Sequence, residues 1–218
     1  MASTKLDLLQ DLLADNRSRR VIFVSHCLLN ENVRFLGGAA QSSGVQGLVN
    51  QYQDAGIGIY QMPCPEQRAW GGVLKRYLAP MYGSAGTLRY RLRRPLTWFF
   101  LVYSRLVYAL LARRVVRDMA DYVRSGFEVV GIVGVGASPS CGVFHTLDVR
   151  RSVEVAAGCT VGATDAATFN TSLMSTAVNA GSGYFIKALR RGLKHRHLMI
   201  PFYEHDLVTE LRENSLLR

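Results

Sequence analysis

Three short, β-branched apolar runs each break into a turn that carries a cysteine, and this limits the folds open to the chain more than any other feature. The first run, residues 20–29 (RVIFVSHCLL), turns polar at Asn30 and holds Cys27 at its exit. The second, 58–62 (GIYQM), is stopped by Pro63, with Cys64 next in line. The third, 128–135 (EVVGIVGV), runs into Gly136 and the turn ASPSCG, which carries Cys141. Near-continuous apolar runs of this length read as strands of a buried parallel sheet. Helix-like stretches at 48–54 and 118–125, stopped by Gly56 and Gly126, lie between them. Another at 182–193 precedes a fourth apolar run at 198–202, which reads as a further strand. Strands alternating with helices predict an α/β fold, a parallel, doubly wound (Rossmann-like) sheet. At 218 residues the chain suits one core, so a single domain over 1–218 is expected.

In such a sheet ligands bind beyond the carboxyl ends of the strands, so cysteines 37 and 77 positions apart become neighbours in space. No apolar leader follows the basic residues of the N-terminus, which predicts a cytoplasmic protein. In a reducing compartment, cysteines read as metal ligands or catalysts more readily than as disulfides. Structural zinc takes four ligands, usually in close CxxC pairs, and this chain has none. Iron–sulfur clusters are also held by thiolates, and three ligands to a four-iron cluster leave one iron open. Cys159, in AAGCTVG, stands as a possible fourth ligand, although no comparable strand end precedes it. For any one cysteine, an ordinary buried thiol remains the plain alternative.

The blocks SHCLLNENVR at 25–34, QMPCPE at 61–66 and GASPSCG at 136–142 resemble, in kind and order, the signature blocks of the thiouracil desulfidase family and its related desulfidases. The resemblance implies a [4Fe-4S] cluster on Cys27, Cys64 and Cys141. It also implies a non-redox reaction in which the open iron takes the sulfur of a small thiolated substrate, water replaces it on carbon, and hydrosulfide leaves. That chemistry needs a proton donor and acceptor beside the cluster. Glu66, two residues past Cys64, is the first choice, its alternative being a carboxylate that satisfies the first amides of a helix. Ser138 and Ser140 could hold a sulfide or a substrate carbonyl, or only bond their own turn. His26, Asn30, Asn32 and Arg34 surround the first cysteine and are the candidates for gripping a polar substrate; packing and loop solvation are their plainer roles.

Residues 73–117 read as a basic, aromatic helical insert. From 68 to 117 the chain has eleven Lys or Arg and no Asp or Glu, so the whole net charge of +10 resides there. Residues 96–112 contain one charge, Arg105, and fall just short of the roughly 20 residues that span a bilayer. A helix lying on an anionic membrane through residues 89–117 suits the composition better than one crossing it. A core helix and a homodimer contact are the alternatives, and interleaved arginine and tyrosine also suit nucleic acid. Two rival functions stand beside the desulfidase. One is an iron–sulfur sulfurtransferase that delivers sulfide to an acceptor. The other is a non-enzymatic redox or sensor module bound to membrane or nucleic acid, with Cys159 or a histidine completing its coordination.

Overall fold

A computed structural model describes residues 4–35, 37–81, 87–159 and 164–215. After α1 (Lys5–Leu12) the chain enters β1 (Arg20–Val24), a helical turn α2 (His26–Leu29), a 3-10 turn (Glu31–Val33), α3 (Gln46–Asp54) and β2 (Gly58–Gln61). There follow α4 (Pro65–Ala69), a 3-10 turn (Arg76–Met81), the long α5 (Leu88–Arg124) and β3 (Glu128–Val135). The last third holds β4 (His145–Leu147), α6 (Val149–Gly158), α7 (Ala166–Ala177), β5 (Val178–Ala180), α8 (Tyr184–His195), β6 (Phe202–His205) and α9 (Leu207–Glu213).

Four of the strands form one parallel sheet in the order β2-β1-β3-β6, while β4 and β5 pair antiparallel in a small ribbon. Alternate residues of β1 point to opposite faces, as a period of two requires. Val21 and Phe23 join Ile132, α5 and α8 in the larger core, and Ile22 and Val24 join Val133, Val135, Leu28 and Val45 in the smaller one. Helical segments therefore cover both faces of a parallel sheet, as the apolar runs led one to expect. Burying a side chain such as Phe23 or Ile132 completely contributes roughly 1.5–3 kcal/mol.

Two elements differ from the sequence reading. The fourth strand begins at Phe202 rather than 198, because Pro201 has no amide hydrogen to add to the ladder and contributes only its carbonyl, to Ile132 N. The helix expected at 118–125 is not a separate one: the stretch 73–117 runs into it. Most of that stretch belongs to α5, the crossover from β2 to β3, which continues to Arg124. Thr97, Leu101, Ser104, Tyr108, Leu111, Val115 and Met119 recur at spacings of three and four and are all buried. Among the described residues α5 is the one helix long and apolar enough to cross a membrane, a property that core helices of soluble proteins share.

Candidate metal centre

The strand order puts a switch point between β1 and β3, from which the chain leaves to opposite sides, and the crevice beyond their carboxyl ends is open to a ligand. Each cysteine is delivered there by a different local device. Ser25 ends β1 by donating its amide to Val133 O at 3.0 Å, and the chain then turns helically, so Cys27 lies in α2 rather than in extended strand. Cys64 is the N-cap of α4, its Sγ 3.4 Å from the Gln67 amide, with Pro65 in the first helical position where its fixed φ suits the turn. Cys141 closes the turn after β3, where Ala137 is left-handed (φ 59°) and Ser138 Oγ accepts from the amides of Ser140 and Cys141 at 3.3 and 3.0 Å. The chain folds back so tightly that a Cβ on Gly134 would lie 2.3 Å from Cys141 O, which restricts that position to glycine.

The three thiols line one cavity of about 140 Å³ together with His26, Arg34, Glu66, Ser138 and Ser140. Cys64 and Cys141 are buried, and Cys27 is half-buried and open to the cavity. Burial, then the neighbouring Cys64, pushes the Cys27 thiol up to about 12; burial and Glu66 push Cys64 up to about 11. Cys141 is raised well above its ordinary value, first by burial and then by the other two cysteines. Such thiols are inert as nucleophiles near neutral pH and ionise only against a strong positive charge. Among the described residues no three Cys, His, Asp or Glu side chains gather tightly enough to clasp a single ion. The thiols instead surround a space.

Glu66 is committed to this space and not to the helix amides. Its carboxylate accepts from Ser140 Oγ at 2.8 Å and Ser138 Oγ at 3.4 Å, and pairs with Lys75 Nζ at 3.0 Å. The end of α4 is capped by Cys64 itself, so the capping alternative for Glu66 is not the one adopted. One buried hydroxyl nearby, that of Tyr108, has no hydrogen-bond partner among the described residues. Tyr108 lies within electrostatic reach of Glu66, Cys141 and Cys64, while Ser25 hydrogen-bonds the Cys141 thiol. Buried hydroxyls are nearly always satisfied, so an orphan beside three thiols suits a bound group that accepts hydrogen bonds, as the sulfides of an iron–sulfur cluster do. The donor set thus fits such a cluster.

The loop after β1 is arranged differently from the expected substrate grip. Asn30 Oδ1 accepts from the Asn32 amide and side chain at 3.1 and 2.9 Å, so the pair caps its own 3-10 turn, and neither residue lines the cavity. Arg34 does line it, but its guanidinium is spent on Glu31, Glu210 and the carbonyls of Cys27 and Gly38. Against the burial that opposes it, His205 and Arg34 hold Glu210 down to about 2, while burial pushes Glu31 up. Arg34 therefore braces the Cys27 loop from beneath. His26 lines the cavity half-buried, and burial, then Arg68, lowers its pKa. Cys159 is away from the cavity and donates to Val155 O at 3.3 Å.

Three residues of the site carry no signal in the sequence. Lys75 is brought back over α4 by Gly71 and Gly72, both at positive φ, and only that GG pair hinted at a turn. Tyr108 is one of many aromatics on α5, and only the helix's rotation selects it. Asn170 of α7, nearly fully buried, lines the cavity and donates to Gly37 O at 3.0 Å. Phe35, Leu147, Phe169 and Leu173 add apolar side chains to the lining. Comparison with family models, with characterised proteins and with solved structures finds no match for this chain.

Proposed function

We propose that the chain is a cytoplasmic desulfidase of Rossmann-like fold that holds a [4Fe-4S] cluster on Cys27, Cys64 and Cys141 and removes sulfur, as hydrosulfide, from a small thiolated heterocycle. The observation that carries this reading is the meeting of three thiols, from the ends of three adjacent parallel strands, around one cavity that also contains Glu66. The likeness of the three cysteine blocks to those of thiouracil desulfidases points the same way. Bound there, the cluster supplies an iron without a protein ligand, to which a thiocarbonyl sulfur can bind.

The protein's own groups account for the remaining steps. The apolar lining from Phe35, Leu147, Phe169 and Leu173 would hold the flat ring of such a substrate, with its sulfur toward the thiols. Glu66 takes a proton from the attacking water, Ser140 fixes the direction of its carboxylate, and Lys75 balances its charge. The water oxygen becomes the carbonyl oxygen, the C–S bond breaks, and a proton returns through Glu66 to the departing sulfur. No electrons enter or leave, so the reaction needs no reductant. The test is hydrosulfide release from thiouracil by anaerobically prepared protein. Turnover without an electron donor is expected, and an absolute requirement for reductant would overturn the reading.

A further inference from the structure

α5 has two apolar faces, and only one of them is used. The buried face is fixed to the core, with Trp70 Nε1 donating to Ser104 Oγ at 3.0 Å and Tyr60 OH to Asp118 at 2.7 Å. On the opposite side Leu92, Leu96, Phe99, Tyr103, Leu106 and Leu110 recur at spacings of four and three, all exposed, Phe99 and Leu106 each by 64%. At about 1.5 Å per residue this stripe is about 27 Å long, and it contains no charge. Beyond its last turn Arg113 and Arg117 face Arg191 and His195 of α8, and Arg196 just after it, across a groove that no acidic residue lines. Arg91 and Arg94 stand exposed at its other end.

We propose that this face docks the protein on an anionic lipid bilayer, the stripe entering the interface and the α5–α8 groove taking lipid phosphates. The helix cannot cross the bilayer while its other side is part of the core. A second copy is opposed by charge, because basic clusters stand at both ends of the stripe. Parallel or antiparallel pairing across a two-fold axis sets arginines against arginines. Nucleic acid would leave six apolar side chains against a phosphate backbone that offers them nothing. Anionic headgroups over an apolar layer match both halves of the surface.

The full-length protein is mixed with phosphatidylglycerol vesicles and, separately, with phosphatidylcholine vesicles, and binding is read by co-sedimentation and tryptophan emission. Wild type should bind the anionic vesicles alone, with binding that weakens as salt rises. Trp98, half exposed on α5, should shift to the blue while Trp70, 4% exposed in the core, should not. Phe99→Glu with Leu106→Glu should abolish binding, and Arg113→Gln with Arg117→Gln should weaken it roughly 25-fold, about fivefold for each charge. All four side chains are exposed, so melting should be unchanged and binding alone should respond. Equal binding to both vesicles, or binding that survives the double glutamate, overturns the proposal. So does a dimer in sedimentation velocity that the double glutamate dissociates, or tighter binding to RNA than to anionic vesicles.

Discussion

The cavity at the strand ends and the outer face of α5 are built from opposite materials. In and behind the cavity wall, charge is buried and paired: Lys75 with Glu66, Arg34 with Glu31 and Glu210. On the outer face of α5, leucine, phenylalanine and tyrosine lie open to solvent. Each arrangement costs folding free energy, because buried charges lose hydration and exposed apolar surface forgoes burial.

The largest difference between the regions should appear in the cysteines. Alanine at Cys27, Cys64 or Cys141 should each remove the cluster entirely, measured by loss of iron and of visible absorbance, while Cys159→Ala should retain it. Loss of iron in the Cys159 variant would break the separation drawn here between cavity and periphery. Next in size, Glu66→Gln should keep the cluster and lower hydrosulfide turnover by roughly 10²–10⁴, as removal of a general acid–base does. Unchanged turnover would reduce Glu66 to a partner for Lys75.

Two smaller effects concern stability. Glu210→Gln leaves the buried Arg34 short of one partner and should cost about 3 kcal/mol in denaturant unfolding near neutral pH. Glu210 is held down to about 2 when folded against an ordinary 4.5, so its contribution is present above pH 4.5 and lost as pH falls toward 2. Wild type and variant should therefore converge on acidification across that window. The smallest effect sharpens the contrast within one helix: Leu101→Ala, on the buried face of α5, should cost about 2–5 kcal/mol, and Leu106→Ala, on the exposed face, under about 0.5 kcal/mol. Equal costs would mean that the outer face is packed in solution.

What could be read in the sequence followed from local chemistry. Glu128–Val135 is apolar on both faces and is a strand to the residue, and the turns after β1, β2 and β3 carry the cysteines into one cavity because parallel strands end on the same side. What could not be read depended on distance or rotation. Arg34 and Glu210 are 176 positions apart, so nothing near Arg34 disclosed that its guanidinium was already engaged. The dense arginine and aromatic content of 89–117 suggested an insert. That composition does not say which side of a helix faces the core, and the spacing of Leu101, Ser104 and Tyr108 against Phe99, Tyr103 and Leu106 settles it only once α8 is in place.

The central claim is that three thiols from three strand ends enclose a single iron–sulfur cluster. Its most direct test is the metal and sulfide content of the wild-type protein purified without oxygen. The account predicts about four irons and four acid-labile sulfides per chain, with the brown absorbance of a [4Fe-4S] centre. One zinc per chain without sulfide would contradict it.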